Sequence, residues 1–151
     1  MHMNPSTNGA LRILMICRLA EGRSVTMPEM VRRLGLSESL VVKACHELMR
    51  AGYLEGRRGN GGGYRLARPP GEIDVMEIIE LLEDEEHLFP CRLRRDGECR
   101  IAQVCLLRRA CEAAHDAFRS ELRDWSIADI AVTACESEGP AGEAALRLAS
   151  E

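Results

Sequence analysis

The chain has 151 residues, 46% hydrophobic and 29% charged, the balance of a compact globular protein. No apolar run approaches the ~20 residues that span a bilayer, and Met1-His2-Met3-Asn4-Pro5 lacks a signal-peptide pattern, so membrane and secreted readings fail and a cytoplasmic location is expected. The net charge of −4 hides an asymmetry: residues 1–71 carry ten Arg and one Lys against five Glu, whereas residues 72–151 carry nine Arg against nineteen acids. A basic front half suits a polyanionic partner, and an aromatic content of 3% argues against a base-stacking platform for single strands.

From Ala10 to Ala20, Leu11, Leu14, Met15 and Leu19 recur at helical spacing. Thr26-Met27-Pro28-Glu29 is a capping-box pattern, in which Thr26 accepts from first-turn amides and Glu29 reaches back. The helix it opens ends at Gly35. Ser37 is the expected N-cap of a further helix to about Ala51, with Val41, Cys45 and Leu48 on its buried face and Lys43 and His46 pointing away. Two short helices joined through Gly35 behind a longer one form a helix-turn-helix. Tyr53–Arg58 and Tyr64–Arg68 are strand-like, and Gly59-Asn60-Gly61-Gly62-Gly63 between them is a hairpin turn. A basic hairpin placed there is a wing. A nucleotide-phosphate loop would need a Gly-Lys-Ser/Thr step at a strand-to-helix junction, and this loop has neither.

Pro69-Pro70-Gly71 separates the basic half from the acidic one. Asp74 caps a helix through about Glu83, with Val75, Ile78, Ile79 and Leu82 inward. Residues 83–100 lack helical periodicity and read as a loop. A long helix is expected from Ala102 to Trp125, with Leu107, Ala110, Ala114, Phe118, Leu122 and Trp125 in one stripe. So small a domain has little core left for that stripe, so it should pack on a second copy. Ser126-Ile127-Ala128-Asp129 opens a short last helix. The expected architecture is therefore mainly α with a small two-stranded β wing: a winged helix-turn-helix over 1–71, a loop and long dimerisation helix over 72–135, and a flexible tail over 136–151.

Seven cysteines, an odd number without a secretion signal, disfavour a disulfide scaffold. Cys91, Cys99 and Cys105 are spaced x7 and x5, without the tight C-x2–4-C pair of a zinc finger. Three thiolates along an open loop suit an iron–sulfur cluster, and Arg92, Arg94, Arg95 and Arg100 can offset its charge. The bland alternative is buried or incidental cysteines, but Cys91 and Cys99 sit among Arg, Asp and Glu. Three thiolates leave one iron position open to another ligand. Cys111 turns ~240° away from Cys105 on a helix and reads as core, as do Cys17 and Cys45. His115 reads as a solvated or interface side chain.

Arg57-Arg58-Gly59-x-Gly61-Gly62-Gly63-Tyr64-x-Leu66-Ala67, Cys99-Arg100-Ile101-Ala102-x-x-Cys105-Leu106-Leu107 and Ser126-Ile127-Ala128-Asp129-Ile130 together resemble the Rrf-type family of bacterial winged-helix regulators over about residues 7–131. The resemblance implies a homodimeric transcription regulator, a repressor, whose affinity for double-stranded DNA depends on a bound iron–sulfur cluster. The position of Asn8 resembles that of an acidic ligand, supplied by the partner subunit, in the family's nitric-oxide-sensing branch. Asn there, with the x7/x5 spacing and Met15-x-Cys17, looks more like the iron-responsive branch. The resemblance thus implies a cluster, [4Fe–4S] favoured over [2Fe–2S], whose fourth ligand is open among Asn8, His87 and Glu85.

On this reading Ser39, Lys43 and His46 enter the major groove, while Arg57, Arg58, Asn60 and Arg65 of the wing meet the backbone or minor groove of a roughly palindromic operator. The alternative is a thiol- or zinc-based redox regulator on the same scaffold. An enzyme is not expected, since no nucleophile–base pairing is recognisable.

Overall fold

The computed structural model describes residues 3–59, 61–83 and 105–131. Asn60, Glu85, His87, Cys91, Cys99 and Cys135 lie outside the described residues, as do the 84–104 segment and everything from residue 132 on. Helices and one small sheet follow in the order α1 (Pro5–Leu19), α2 (Met27–Leu34), α3 (Glu38–Arg50), β1 (Leu54–Arg57), β2 (Gly63–Leu66), a 3-10 turn (Pro70–Glu72), α4 (Val75–Leu82), α5 (Leu106–Arg123) and α6 (Ile127–Ile130).

α1 begins five residues before the hydrophobic periodicity suggests. Proline at the first helical position costs no hydrogen bond, and the Asn4 side chain accepts from Ser6 N at 3.0 Å. The helix then buries Thr7, Ala10, Leu11, Ile13, Leu14 and Cys17 against its neighbours, which makes it the hub of the domain.

α2 is capped as expected by Thr26, whose Oγ1 accepts from Glu29 N at 3.4 Å. The other half of the box does not form. Glu29 instead takes two hydrogen bonds from Arg23, at 2.9 and 2.8 Å, and pairs with Arg33 at 3.2 Å. A guanidinium fork outcompetes a single amide for that carboxylate. Gly35, left-handed at φ 64°, closes the helix. Ser37 occupies the α3 N-cap but makes no side-chain cap bond; its hydroxyl lies 3.3 Å from that of Ser39. Val41, Ala44, Cys45 and Leu48 carry α3 into the core.

The wing is the antiparallel pair Leu54↔Leu66, Glu55↔Arg65, Gly56↔Tyr64 and Arg57↔Gly63. Its β2 edge is stitched to the body through Val25, which exchanges two 2.8 Å hydrogen bonds with Tyr64. That close approach explains the glycine run: at Gly63, φ +152°, a Cβ would fall 2.5 Å from the Val25 carbonyl oxygen, and at Gly62 it would fall 2.5 Å from that of Arg57. These glycines make room for backbone.

Asp74 caps α4, accepting from Met76 N at 2.5 Å and Glu77 N at 3.3 Å. A short ribbon then joins the entry of α4 to the exit of α5. Val75 N donates to Trp125 O and Ile127 N to Ile73 O, both at 2.9 Å, around the Asp74↔Ser126 bridge. Ser126 and Asp129 form a full capping box on α6. Ile73, Ile78, Ile79 and Ile127, all at most 2% exposed, join the core built on α1 and α3.

α5 divides the expected stripe in two. The described helix starts at Leu106 behind Cys105, not at Ala102. Its half-buried side carries Cys111, Phe118 and Leu122, the last two packed on this chain's own core. Leu107, Ala110 and Ala114 border that side on the helix surface but lie exposed, with Leu106, Ala113 and Ala117. Leu106 and Leu107 are 73% and 68% exposed. His115 is buried at 2% exposure, so it is not a solvated side chain, and half-buried Cys111 is not core.

Candidate nucleic-acid interface and metal-ligand region

Because α3 gives one face to the core, its opposite face is free by helical geometry. Ser39, Lys43 and His46 lie exposed along that face, and Arg50 continues the line one turn on. Lys43 keeps only a loose contact with Glu47, 4.0 Å from Nζ to Oε1, and remains available to an anion. Arg57 and Arg58 are exposed at the tip-side end of β1. Arg65 differs: its guanidinium is bound to Glu55 across the sheet, with both side chains about half exposed. That pair joins residues directly opposite in the ladder and leaves Arg57 and Arg58 as the wing's unengaged cations among the described residues. Arg32, exposed in the last turn of α2, adds a cation that periodicity does not single out. Its signal is electrostatic: Arg23 and Arg33 are committed to Glu29, and Arg32 is not.

The ionisable groups behind this surface are neutral or paired. Burial pushes the Cys17 and Cys45 thiols up to about 12, so both are protonated hydrophobes at neutral pH. Cys17 Sγ points at the Tyr64 carbonyl and Cys45 Sγ at Met30 Sδ, each at 3.8 Å. The Arg23 fork holds the Glu29 carboxyl below the usual range.

Of the three cysteines spaced for a cluster, Cys105 is described. It is the N-cap residue of α5, half exposed, and its sulfur accepts the Arg108 N–H at 3.4 Å. Asn8 is exposed on the first turns of α1. One turn earlier, Asn4 N donates to Glu83 Oε1 at 2.7 Å, so the start of α1 lies against the end of α4, where the chain enters the cysteine segment. Among the described residues no three His, Cys, Asp or Glu side chains converge on one point, and no helix is long and apolar enough to cross a membrane.

A helix-turn-helix with a two-stranded wing, a basic exposed helix and a long appended helix defines a winged-helix transcription regulator. Residues 3–133 match the Rrf2 model, described as an iron-dependent transcriptional regulator, and the chain belongs to that family. It is 33% identical over 130 residues to protein aau3 of Rhizobium meliloti, covering 86% of this chain and 84% of that one. It is 32% identical over 131 residues to the HTH-type transcriptional regulator NsrR of Geobacillus kaustophilus, covering 86% and 89%. Among solved structures it resembles T. potens IscR, with a TM-score of 0.64 at 24% identity over 86% of this chain and 85% of that one. Staphylococcus aureus CymR gives 0.67 at 22% identity over 85% and 96%. These two likenesses establish the fold, a mainly helical body with a two-stranded wing.

Proposed function

We propose that the protein is a dimeric repressor whose affinity for a roughly palindromic operator is set by an iron–sulfur cluster held by Cys91, Cys99 and Cys105, signalling iron supply or nitric oxide. The observation that carries this reading is Cys105: a half-exposed sulfur, held by a helix N-terminus, at the end of a segment with two further cysteines in an arginine-rich setting. The printed description of the family as iron-dependent supports it. When bound, such a cluster supplies an iron that oxygen, nitric oxide or a chelator can attack, most readily where its fourth ligand is weak. Asn8, His87 and Glu85 are the candidates of this chain for that position, and a [4Fe–4S] cluster is favoured.

The other parts follow from the residues. Ser39, Lys43 and His46 read or approach bases, while Arg57, Arg58 and Asn60, with Arg32 and Arg50, meet phosphates. Arg65 takes part only by exchanging Glu55 for phosphate. The exposed Leu107–Ala110–Ala114 side of α5 pairs with a second copy, setting two recognition helices about 34 Å apart on one face of the duplex.

A second reading, a thiol- or zinc-based redox regulator, draws on the likeness to a solved protein described as the global cysteine regulator of B. subtilis, with a TM-score of 0.65 at 22% identity. Purification without oxygen separates the two. Iron and sulfide in near-equal amounts, visible absorbance, and DNA binding that weakens with a ferrous chelator support the cluster. Colourless protein whose binding follows only thiol oxidation or zinc removal overturns it.

A further inference from the structure

Away from the DNA face, α3, the wing and α4 meet in one side-chain cluster. Arg68, just beyond β2, lays its guanidinium over the Tyr53 ring, 4.6 Å from the centroid. The same guanidinium donates to the Gly52 and Ala51 carbonyls at 3.1 and 3.3 Å, groups at the end of α3 that helix geometry leaves without partners. Tyr53, 8% exposed, donates its hydroxyl to Glu77 Oε2 of α4 at 3.1 Å. Its backbone binds Leu48 of α3 at 2.9 Å and Ala67, next to β2, at 3.0 Å.

α4 is also the described element that leads into the cysteine segment. Its own C-terminus leads into residue 84. Glu80 holds the C-terminal turns of α5, the helix that Cys105 caps at its other end, through Arg119 and, at 3.2 Å, Arg123.

We propose that the Arg68–Tyr53–Glu77 cluster is the coupling device that carries a change at the cysteine segment to the recognition helix and the wing; this rests on the effector-controlled reading above. A displacement of α4 has two outcomes at this point. It breaks the phenol–carboxylate bond, leaving the hydroxyl of buried Tyr53 without that partner, or it moves Tyr53. Tyr53 cannot move alone, because its ring is under Arg68 and its backbone is bonded to both DNA-contacting elements. Burial and the Glu77 carboxylate push the phenol up, so it stays a protonated donor. The cluster touches no DNA-facing side chain, so its role is positional.

The test uses Tyr53→Phe, which removes one oxygen and keeps the ring beneath Arg68, and Glu77→Gln as an independent second variant. Protein purified without oxygen is measured before and after a ferrous chelator, against a duplex selected by the parent protein from a randomised library. Two quantities are read: the ratio of the two Kd values, and amide exchange at Ala51–Tyr53. Both variants are expected to keep parental iron content and to bring the ratio toward unity by about threefold or more. The exchange at Ala51–Tyr53, which responds to the chelator in the parent, no longer does. A parental ratio in both variants overturns the coupling, because a merely structural bond would shift both states alike. If the parent itself binds equally in both states, the effector-controlled reading falls, and this inference with it.

Discussion

The seven cysteines show how one residue type takes different work from its setting. Cys17 and Cys45 are 2% and 0% exposed, and burial raises their thiols to about 12. In the native protein they should resist a thiol reagent that labels half-exposed Cys105 and Cys111, as mass spectrometry of briefly alkylated apoprotein would read. The same shift has a stability consequence. A thiol whose folded value lies above its ordinary 9.0 contributes fully below pH ~9, and that contribution is lost as pH rises toward about 12. Cys45→Ala, which deletes the group, should flatten the alkaline side of the stability profile, checked by urea melts between pH 8 and 11; an unchanged slope would count against the burial argument. Gly63 makes a sharper case. A Cβ there meets the Val25 backbone oxygen at 2.5 Å, and backbone cannot rotate away. Gly63→Ala should cost about 2 kcal/mol and release the wing from Val25. Chemical denaturation and exchange of the Tyr64 amide would read both effects.

At the scale of elements, local signals were readable and long-range pairings were not. Gly35, Asp74 and the Ser126–Asp129 box sit where cap chemistry puts them, because caps depend on a few adjacent residues. Asn4-Pro5 carried the same kind of signal for α1, but apolar periodicity does not register until Ala10. Glu29 went to Arg23 because a carboxylate's best partner is set by tertiary geometry. The Asp74–Ser126 bridge and the Tyr53–Glu77 bond join residues 52 and 24 apart, and no local pattern announces them. α5 is the instructive failure: a wheel places Leu107, Ala114, Phe118 and Leu122 in one stripe, yet apolarity alone cannot tell a partner's surface from the chain's own core. The consequence is testable. Phe118→Asp should destabilise the monomer fold, since Phe118 packs inward. Ala114→Glu, on the exposed side, should leave melting of the fold nearly unchanged and yield monomers with weak DNA binding. A dimeric Ala114→Glu protein in sedimentation would move the interface elsewhere.

For the whole molecule, the charge division and the fold agree on where a polyanion meets it. The front half carries a surplus of six positive charges, and the structure spends several of them internally: Arg23 and Arg33 on Glu29, Arg65 on Glu55, Arg68 on α3. What remains exposed and unengaged among the described residues includes Arg32, Arg50, Arg57 and Arg58, with Lys43 loosely paired. Arg57 and Arg58 sit where a wing can straddle the duplex, so each should neutralise one phosphate. Each phosphate contact contributes about 0.9 to the slope of log K against log salt. The double Arg57→Ala, Arg58→Ala variant should therefore lose about 1.8 of slope and bind less tightly at low salt. The loss should be nearly the same on a selected duplex and on an unrelated one, because phosphate contacts position without reading sequence. His46→Ala should do the reverse, relaxing discrimination between the two duplexes while leaving the slope almost intact. Titrations of both variants at several salt concentrations separate the roles. An unchanged slope in the double variant would take the wing off the DNA and leave Arg32, Arg50 and Lys43 as the phosphate contacts.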